Sequence, residues 1–108
     1  MAYAPAAAAT VLDALGDPTR RELLEVLRDG PRAVVDIAAA MPVSRPAVSQ
    51  HLRVLKDAGL VIERRDGARR VYRIHTDGLA ALRAYLETYW SEALAAFKEA
   101  ADERGGGR

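Results

Sequence analysis

The chain has 108 residues, 50% of them hydrophobic, a net charge of +1 and no cysteine. That length suits one compact domain with its own core, and the lack of cysteine excludes disulfides, thiolate metal centres and thiol redox sensing. No apolar run approaches the ~20 residues that span a bilayer, and the alanine-rich start, Met1–Ala9, has no basic region before it, so a cytoplasmic protein without a signal peptide is expected.

The first predicted element is a helix over Ala6–Leu15, where alanine favours the helix and Val11, Leu12 and Leu15 give an apolar edge. Asp17-Pro18 restarts the chain as a helix. Asp caps, and Pro takes the first helical position, where its missing N–H costs nothing. This second helix should run to about Arg28, with Thr19, Leu23, Val26 and Leu27 inward, and end at Asp29-Gly30-Pro31. A short third helix is expected over about Ala33–Ala40, with Val34, Ile37, Ala38 and Met41 on its inner face. Ser44 then caps a fourth helix that ends near Asp57, with Gly59 as its stop and Val48, Leu52 and Leu55 inward.

Two β-prone runs follow, Leu60–Arg65 and Arg69–His75, flanking Asp66-Gly67. Asp-Gly in that setting is a hairpin signal. Read as a two-residue loop, it sets Arg64 opposite Arg69, Glu63 opposite Arg70, Ile62 opposite Val71 and Val61 opposite Tyr72. A long last helix, Leu79–Ala101, is expected to carry an apolar stripe of Leu79, Leu82, Leu86, Tyr89 or Trp90, Ala93 and Phe97, with Thr76 or Asp77 as its cap. The domain is expected to occupy residues 6–104, with 105–108 as a frayed tail.

Two short helices joined by a tight turn and followed by a hairpin form the winged helix-turn-helix order. The predicted fold is therefore mainly α with a small β-hairpin, in the sequence α-α-α-α-β-β-α. In a helix-turn-helix the second helix enters the major groove. Here that is the Ser44–Asp57 helix, whose outward side chains are Ser44, Arg45, Ala47, Ser49, Gln50 and Arg53. Arg bonds guanine O6 and N7, Gln bonds adenine N6 and N7, and Ala touches a thymine methyl. The helix N-terminus and the Ser44 and Ser49 hydroxyls suit phosphate oxygens, with Arg53 and Lys56 nearer the backbone. Pro46 is read as a first-turn residue, and His51 as a half-buried edge residue with a base or phosphate contact as its alternative role. Arg64 and Arg69 repel one another in the expected register, which makes sense if a phosphate or the minor groove lies between them. Charge distribution agrees: residues 44–75 carry eight Lys/Arg against three Asp/Glu, while both flanks are mildly acidic. The DNA-binding set is thus Ser44, Arg45, Pro46, Ala47, Ser49, Gln50, His51, Arg53, Lys56, Arg64 and Arg69.

The last helix is long for so small a domain and has few elements to cover it, so a second copy is the expected partner. Val11, Leu12, Leu15, Leu82, Leu86, Tyr89, Trp90, Ala93 and Phe97 are the expected homodimer surface. Double-stranded operator DNA is the other expected partner. A winged-helix module for protein contacts is the competing reading, but it requires an apolar outer face on residues 44–57, which the sequence lacks. No phosphate loop, Ser/His/Asp spacing or paired carboxylates suggest an enzyme.

The stretches Leu15-Gly16-Asp17-Pro18-Thr19-Arg20 and Ser44-Arg45-Pro46-Ala47-Val48-Ser49-Gln50-His51-Leu52-Arg53-Val54-Leu55-Lys56-Asp57-Ala58-Gly59-Leu60-Val61 resemble the arsenic-repressor (ArsR/SmtB) family, and Gly67, Arg70 and Tyr72 fit its wing. The resemblance covers about residues 10–98. It implies a dimer that binds operator DNA, usually as a repressor, and releases it when an inducer binds. The family's arsenic-type site has two cysteines in the third helix, at positions held here by Ala33 and Val35 within Ala33-Val34-Val35-Asp36-Ile37. Its zinc-type site takes Asp and His from the last helix, which has no His here. The resemblance therefore implies DNA binding without metal or other cofactor, and leaves any small-molecule inducer unassigned.

Overall fold

The computed structural model describes residues 6–105. Its elements are α1 (Ala6–Leu15), α2 (Pro18–Val26), β1 (Arg32–Ala33), α3 (Val34–Ala40), α4 (Arg45–Asp57), β2 (Val61–Asp66), β3 (Arg69–Ile74) and α5 (Thr76–Gly105). The three strands form one antiparallel sheet in the order β1-β3-β2. The winged helix-turn-helix order is present, with one strand more than the sequence reading expects. β1 has only two residues and pairs Arg32 with Tyr72 and Ala33 with Val71. So short a strand carries no alternating pattern of its own. Of the expected tail, Gly105 closes α5, and residues 106–108 lie outside the described residues.

Caps set the helix boundaries. The Asp17 carboxylate accepts from the Thr19 N–H at 2.7 Å and the Arg20 N–H at 3.3 Å, with Pro18 next to it in the first turn of α2. Burial pushes this carboxyl up, but those amides and the Arg20 guanidinium outweigh it and hold it below the usual carboxylate range. The same arginine turns back to α1, its Nε donating to the Ala14 carbonyl at 2.6 Å, while Arg21 reaches the Leu15 carbonyl at 2.7 Å. Carbonyls left open at the end of α1 are thus satisfied by side chains of α2. Ser44 Oγ accepts from the Ala47 N–H at 3.3 Å and starts α4.

The core is one cluster, with Leu23 from α2, Leu27 at its C-cap, Ile37 from α3, Val48, Leu52 and Leu55 from α4, and Leu60, Val61 and Tyr72 around the sheet. The helical members of this cluster are among the inward residues that helical periodicity picks out. Val11 corrects the expected dimer surface. It is fully enclosed in this core, so within one protomer it is already spent on packing, and only its neighbour Leu12 stays open. Leu15 and Leu82 are half-buried against the core.

α5 packs its beginning against α1 and then leaves the body. Every described side chain from Leu86 onward is exposed. The chain measures 70 × 24 × 21 Å with a radius of gyration of 19.0 Å, against about 13 Å for a compact chain of this length. The overhang carries Leu86, Tyr89, Trp90, Leu94 and Phe97, the last 73% exposed. At the other end, α5 is seated by Gly78, whose N–H donates to the Gly59 carbonyl at 2.9 Å. A methyl on Gly78 would stand 2.8 Å from both the Ala58 and Gly59 carbonyl oxygens. The Ala58-Gly59 turn that ends α4 and the first turn of α5 thus touch backbone to backbone.

Candidate nucleic-acid interface

α4 presents two kinds of surface. Val48, Leu52 and Leu55 are buried, whereas Ser44, Arg45, Pro46, Ser49, Gln50, Arg53 and Lys56 are exposed. Ala47 and His51, four residues apart on one side of the helix, are half-buried. His51 stands near enough to Asp17 to favour its charged form, so this edge turns toward α2 rather than outward. The first turn offers fewer phosphate donors than a free helix end. Pro46 has no N–H, and the Ala47 N–H is taken by Ser44, which leaves the Arg45 N–H and the hydroxyl hydrogen of Ser44.

The hairpin register differs from the expected one. Asp66 pairs with Arg69, Arg65 with Arg70, Arg64 with Val71, and Glu63 with Tyr72. The loop is therefore Gly67-Ala68, one residue later than an Asp-Gly loop. Gly67 has φ +64°, and no non-glycine residue among those described has positive φ. A two-residue turn with only its first residue left-handed takes Gly-X, so the glycine selects this loop and Asp66 extends the strand. Moving the loop by one residue shifts each cross-strand partner by two, so every side chain keeps its face but meets a new partner. The like-charge pair expected between Arg64 and Arg69 is consequently formed by Arg65 and Arg70. Arg64 lies on the opposite sheet face, and Arg69 is held by Asp36 of α3, Nη2 to Oδ2 at 2.9 Å.

Between α4 and the hairpin lies a groove of about 570 Å³, lined on the helix side by Arg45, Ser49, Arg53, Lys56 and Asp57 and on the sheet side by Glu63, Arg69, Arg70 and Tyr72. Those helix residues recur at helical spacing and form one stripe. In the groove the Tyr72 hydroxyl donates to the Glu63 carboxylate. This hydrogen bond lowers the Glu63 pKa, with Lys56, Arg70 and Arg65 acting the same way against its burial. Burial, followed by the Glu63 hydrogen bond and charge, pushes the Tyr72 phenol up to about 12. Sequence reasoning missed this pair, Arg65 and Arg70 as partners, and the Arg69–Asp36 contact. Reading Gly67-Ala68 as a Gly-X turn would have found the first two.

The donor set does not suit a metal at the family's sites. Ala33 and Val35 have no donor atoms, Asp36 is engaged by Arg69, and α5 contains neither His nor Cys. Among the described residues no group of three or more His, Cys, Asp or Glu converges, and no helix is long and apolar enough to cross a membrane.

Three similarities place this architecture. The chain is 52% identical over 92 residues to the HTH-type transcriptional regulator Rv2034 of Mycobacterium tuberculosis, covering 85% of this chain and 86% of the relative. It is 38% identical over 66 residues to the transcriptional repressor SdpR of Bacillus subtilis, covering 61% and 73% of the two chains. A homodimeric winged helix-turn-helix DNA-binding domain from Mycobacterium bovis superposes with a TM-score of 0.64 at 38% identity, covering 82% of each chain. Residues 17–63, from the Asp17 cap to Glu63 in the wing, match the family described as bacterial regulatory protein, arsR family. On this fold and these relatives, the chain belongs to the arsR family of bacterial transcriptional regulators.

Proposed function

We propose that this protein is a cytoplasmic, homodimeric repressor that reads an inverted-repeat operator in duplex DNA and is not controlled through the family's cysteine or histidine metal sites. The observation that carries the reading is the outward face of α4. Arg45, Ser49, Gln50 and Arg53 are exposed while the opposite face is fully buried, and a cationic groove separates that face from the wing. Arg45 and Gln50 supply base-edge hydrogen bonds in the major groove. Ser44, Ser49, Arg53 and Lys56 lie where phosphates flank such a helix. On the wing, Arg65 and Arg70 take the phosphate role that the sequence reading gave to Arg64 and Arg69, because two guanidinium groups directly opposite one another are costly without an anion between them. Pro46, Ala47 and His51 serve mainly to shape and seat the helix.

Pairing follows from the overhang of α5. Leu86, Tyr89, Trp90, Ala93 and Phe97, joined by Leu94, form an exposed apolar strip that a second copy covers, with Leu12, Leu15 and Leu82 at the α1 end. The homodimeric relative supports this arrangement, and the relative named as a repressor supports the direction of control. A two-fold pair places recognition helices about 34 Å apart, one turn of duplex.

The test is selection of bound sequences from random duplexes, followed by titration at several salt concentrations. An inverted repeat is expected. Arg45→Ala and Gln50→Ala should each weaken operator binding by about 1–3 kcal/mol and relax one position of the site. Unchanged operator and random-sequence binding in both variants would overturn the assignment of α4.

A further inference from the structure

The groove between α4 and the wing contains two carboxylates, Asp57 at the end of α4 and Glu63 on β2, where a DNA-binding surface is expected to be cationic. Glu63 sits among Lys56, Arg65 and Arg70, near enough for all three to favour its charge. None of them approaches within ion-pair distance, since the ion pairs of the described residues do not include Glu63. Its close partner is the neutral Tyr72 hydroxyl, which donates to it. Tyr72 is almost wholly buried and fixed in the core by its ring, so its hydroxyl points from a rigid mount. A hydroxyl donor beside Arg70, with Lys56 and Arg65 near its acceptor, is the kind of group that holds a phosphate oxygen. Here the chain's own carboxylate accepts that hydrogen bond.

We propose that Glu63 is an internal occupant of a phosphate site formed by the Tyr72 hydroxyl, Lys56, Arg65 and Arg70, and that it determines specificity by subtracting from sequence-independent DNA binding. The inference rests on the DNA-binding reading of this groove and deepens it. Strand geometry gives the groove two ends. Arg65 and Arg70 lie two residues beyond Glu63 and Tyr72 on the same sheet face, about 7 Å farther out. A backbone lying along the outer end meets two guanidinium groups. One that slides inward meets a negative charge. Random duplex is bound through its phosphates alone, so it loses more to this carboxylate than an operator held in register by base contacts. The depressed Glu63 pKa keeps the carboxylate charged at neutral pH.

The experiment compares binding of the wild-type chain and Glu63 variants to the selected operator and to a scrambled duplex of equal length. Salt is varied between about 50 and 200 mM, a range over which one added phosphate contact multiplies the loss of affinity by roughly 3.5. Glu63→Gln still accepts from Tyr72 through its amide oxygen but carries no charge. It should bind scrambled duplex more tightly, by about three- to tenfold at the low-salt end, with a salt slope steeper by about 0.9. The operator-to-scrambled ratio should fall. Glu63→Asp, which keeps the charge, should retain the wild-type slope and most of the ratio. Glu63→Ala should follow Glu63→Gln, and it supplies the reading if the amide variant does not fold. Wild-type slope and ratio in the folded uncharged variants, or weaker binding to both duplexes, would overturn the proposal. A wild-type chain that binds neither duplex would overturn the DNA reading beneath it.

Discussion

Replacing Gly78 by alanine tests how α5 is joined to the recognition helix. In an ordinary helix Gly→Ala stabilises by up to ~1 kcal/mol. Here the added methyl would lie 2.8 Å from two carbonyl oxygens and 2.9 Å from the Gly59 carbonyl carbon, where ordinary contact begins at 3.4 Å. Those atoms cannot rotate away. The turn is pinned by Gly59 N–H to Lys56 O at 3.0 Å, Leu60 N–H to Leu55 O at 2.9 Å and His75 N–H to Leu60 O at 2.9 Å. α5 must therefore move outward by roughly half an ångström and stretch the Gly78–Gly59 hydrogen bond, a form of overpacking that costs about 1–3 kcal/mol. After the propensity gain, a net loss of about 1–2 kcal/mol remains. For a domain this size that lowers Tm by roughly 4–8 °C per kcal/mol. Thermal and urea melts at one fixed protein concentration would measure it, since pairing makes Tm concentration-dependent. A Gly78→Ala protein as stable as the wild type, or more so, would refute the close backbone contact.

Three other outcomes are expected. Asp36→Ala releases Arg69 from an exposed ion pair, so stability should change by less than ~1 kcal/mol. Affinity for all duplexes should rise, with a salt slope steeper by up to about 1; weaker binding in a salt titration would show instead that Asp36 aims Arg69 at the DNA. Leu86→Glu puts a charge into the α5 strip and should yield a folded monomer by sedimentation, with operator binding reduced at least tenfold. Stability should form a plateau in pH. Asp17 and Glu63 are held below their ordinary values of 3.8 and 4.5, so their contribution is full above those values and is lost as pH falls through the depressed ones. Tyr72 moves from 10.0 to about 12, so its contribution is full below pH 10 and is lost as pH rises toward 12. Urea midpoints across pH would show both limbs, and Tyr72→Phe should remove the contribution of Tyr72 from the alkaline one.

Residues whose environment follows from helical spacing were legible in the sequence. Leu23, Leu27, Ile37, Val48, Leu52 and Leu55 are buried because a stripe at that spacing has one face to bury. The Asp17 and Ser44 caps were readable because a side-chain oxygen beside the first turn has a defined donor to meet. Val11 was misplaced because a short alanine-rich helix has apolar side chains on two sides, and only the packed core decides which side faces in. The Arg32–Ala33 strand and the Arg69–Asp36 pair depend on partners far along the chain, which no local pattern encodes. The hairpin register turned on whether Asp66 belongs to the turn or the strand. Since Gly67 is the one hairpin residue with positive φ, a Gly-X loop satisfies the backbone as well as an Asp-Gly loop does. That choice moved the wing's cationic pair from Arg64 and Arg69 to Arg65 and Arg70.

The chain has a single tryptophan, and it lies in the overhang of α5, 63% exposed, away from α4 and the wing. Its fluorescence is therefore an uncontaminated optical label for one surface. In a lone protomer the indole emits as a hydrated ring that iodide quenches. When the apolar strip is covered, emission shifts to shorter wavelength and quenching falls. Duplex added to a preformed pair leaves that signal unchanged, because no groove-lining residue is near Trp90. Assembly and DNA docking can thus be followed in one cuvette, the first by intrinsic emission and the second by a dye on the duplex.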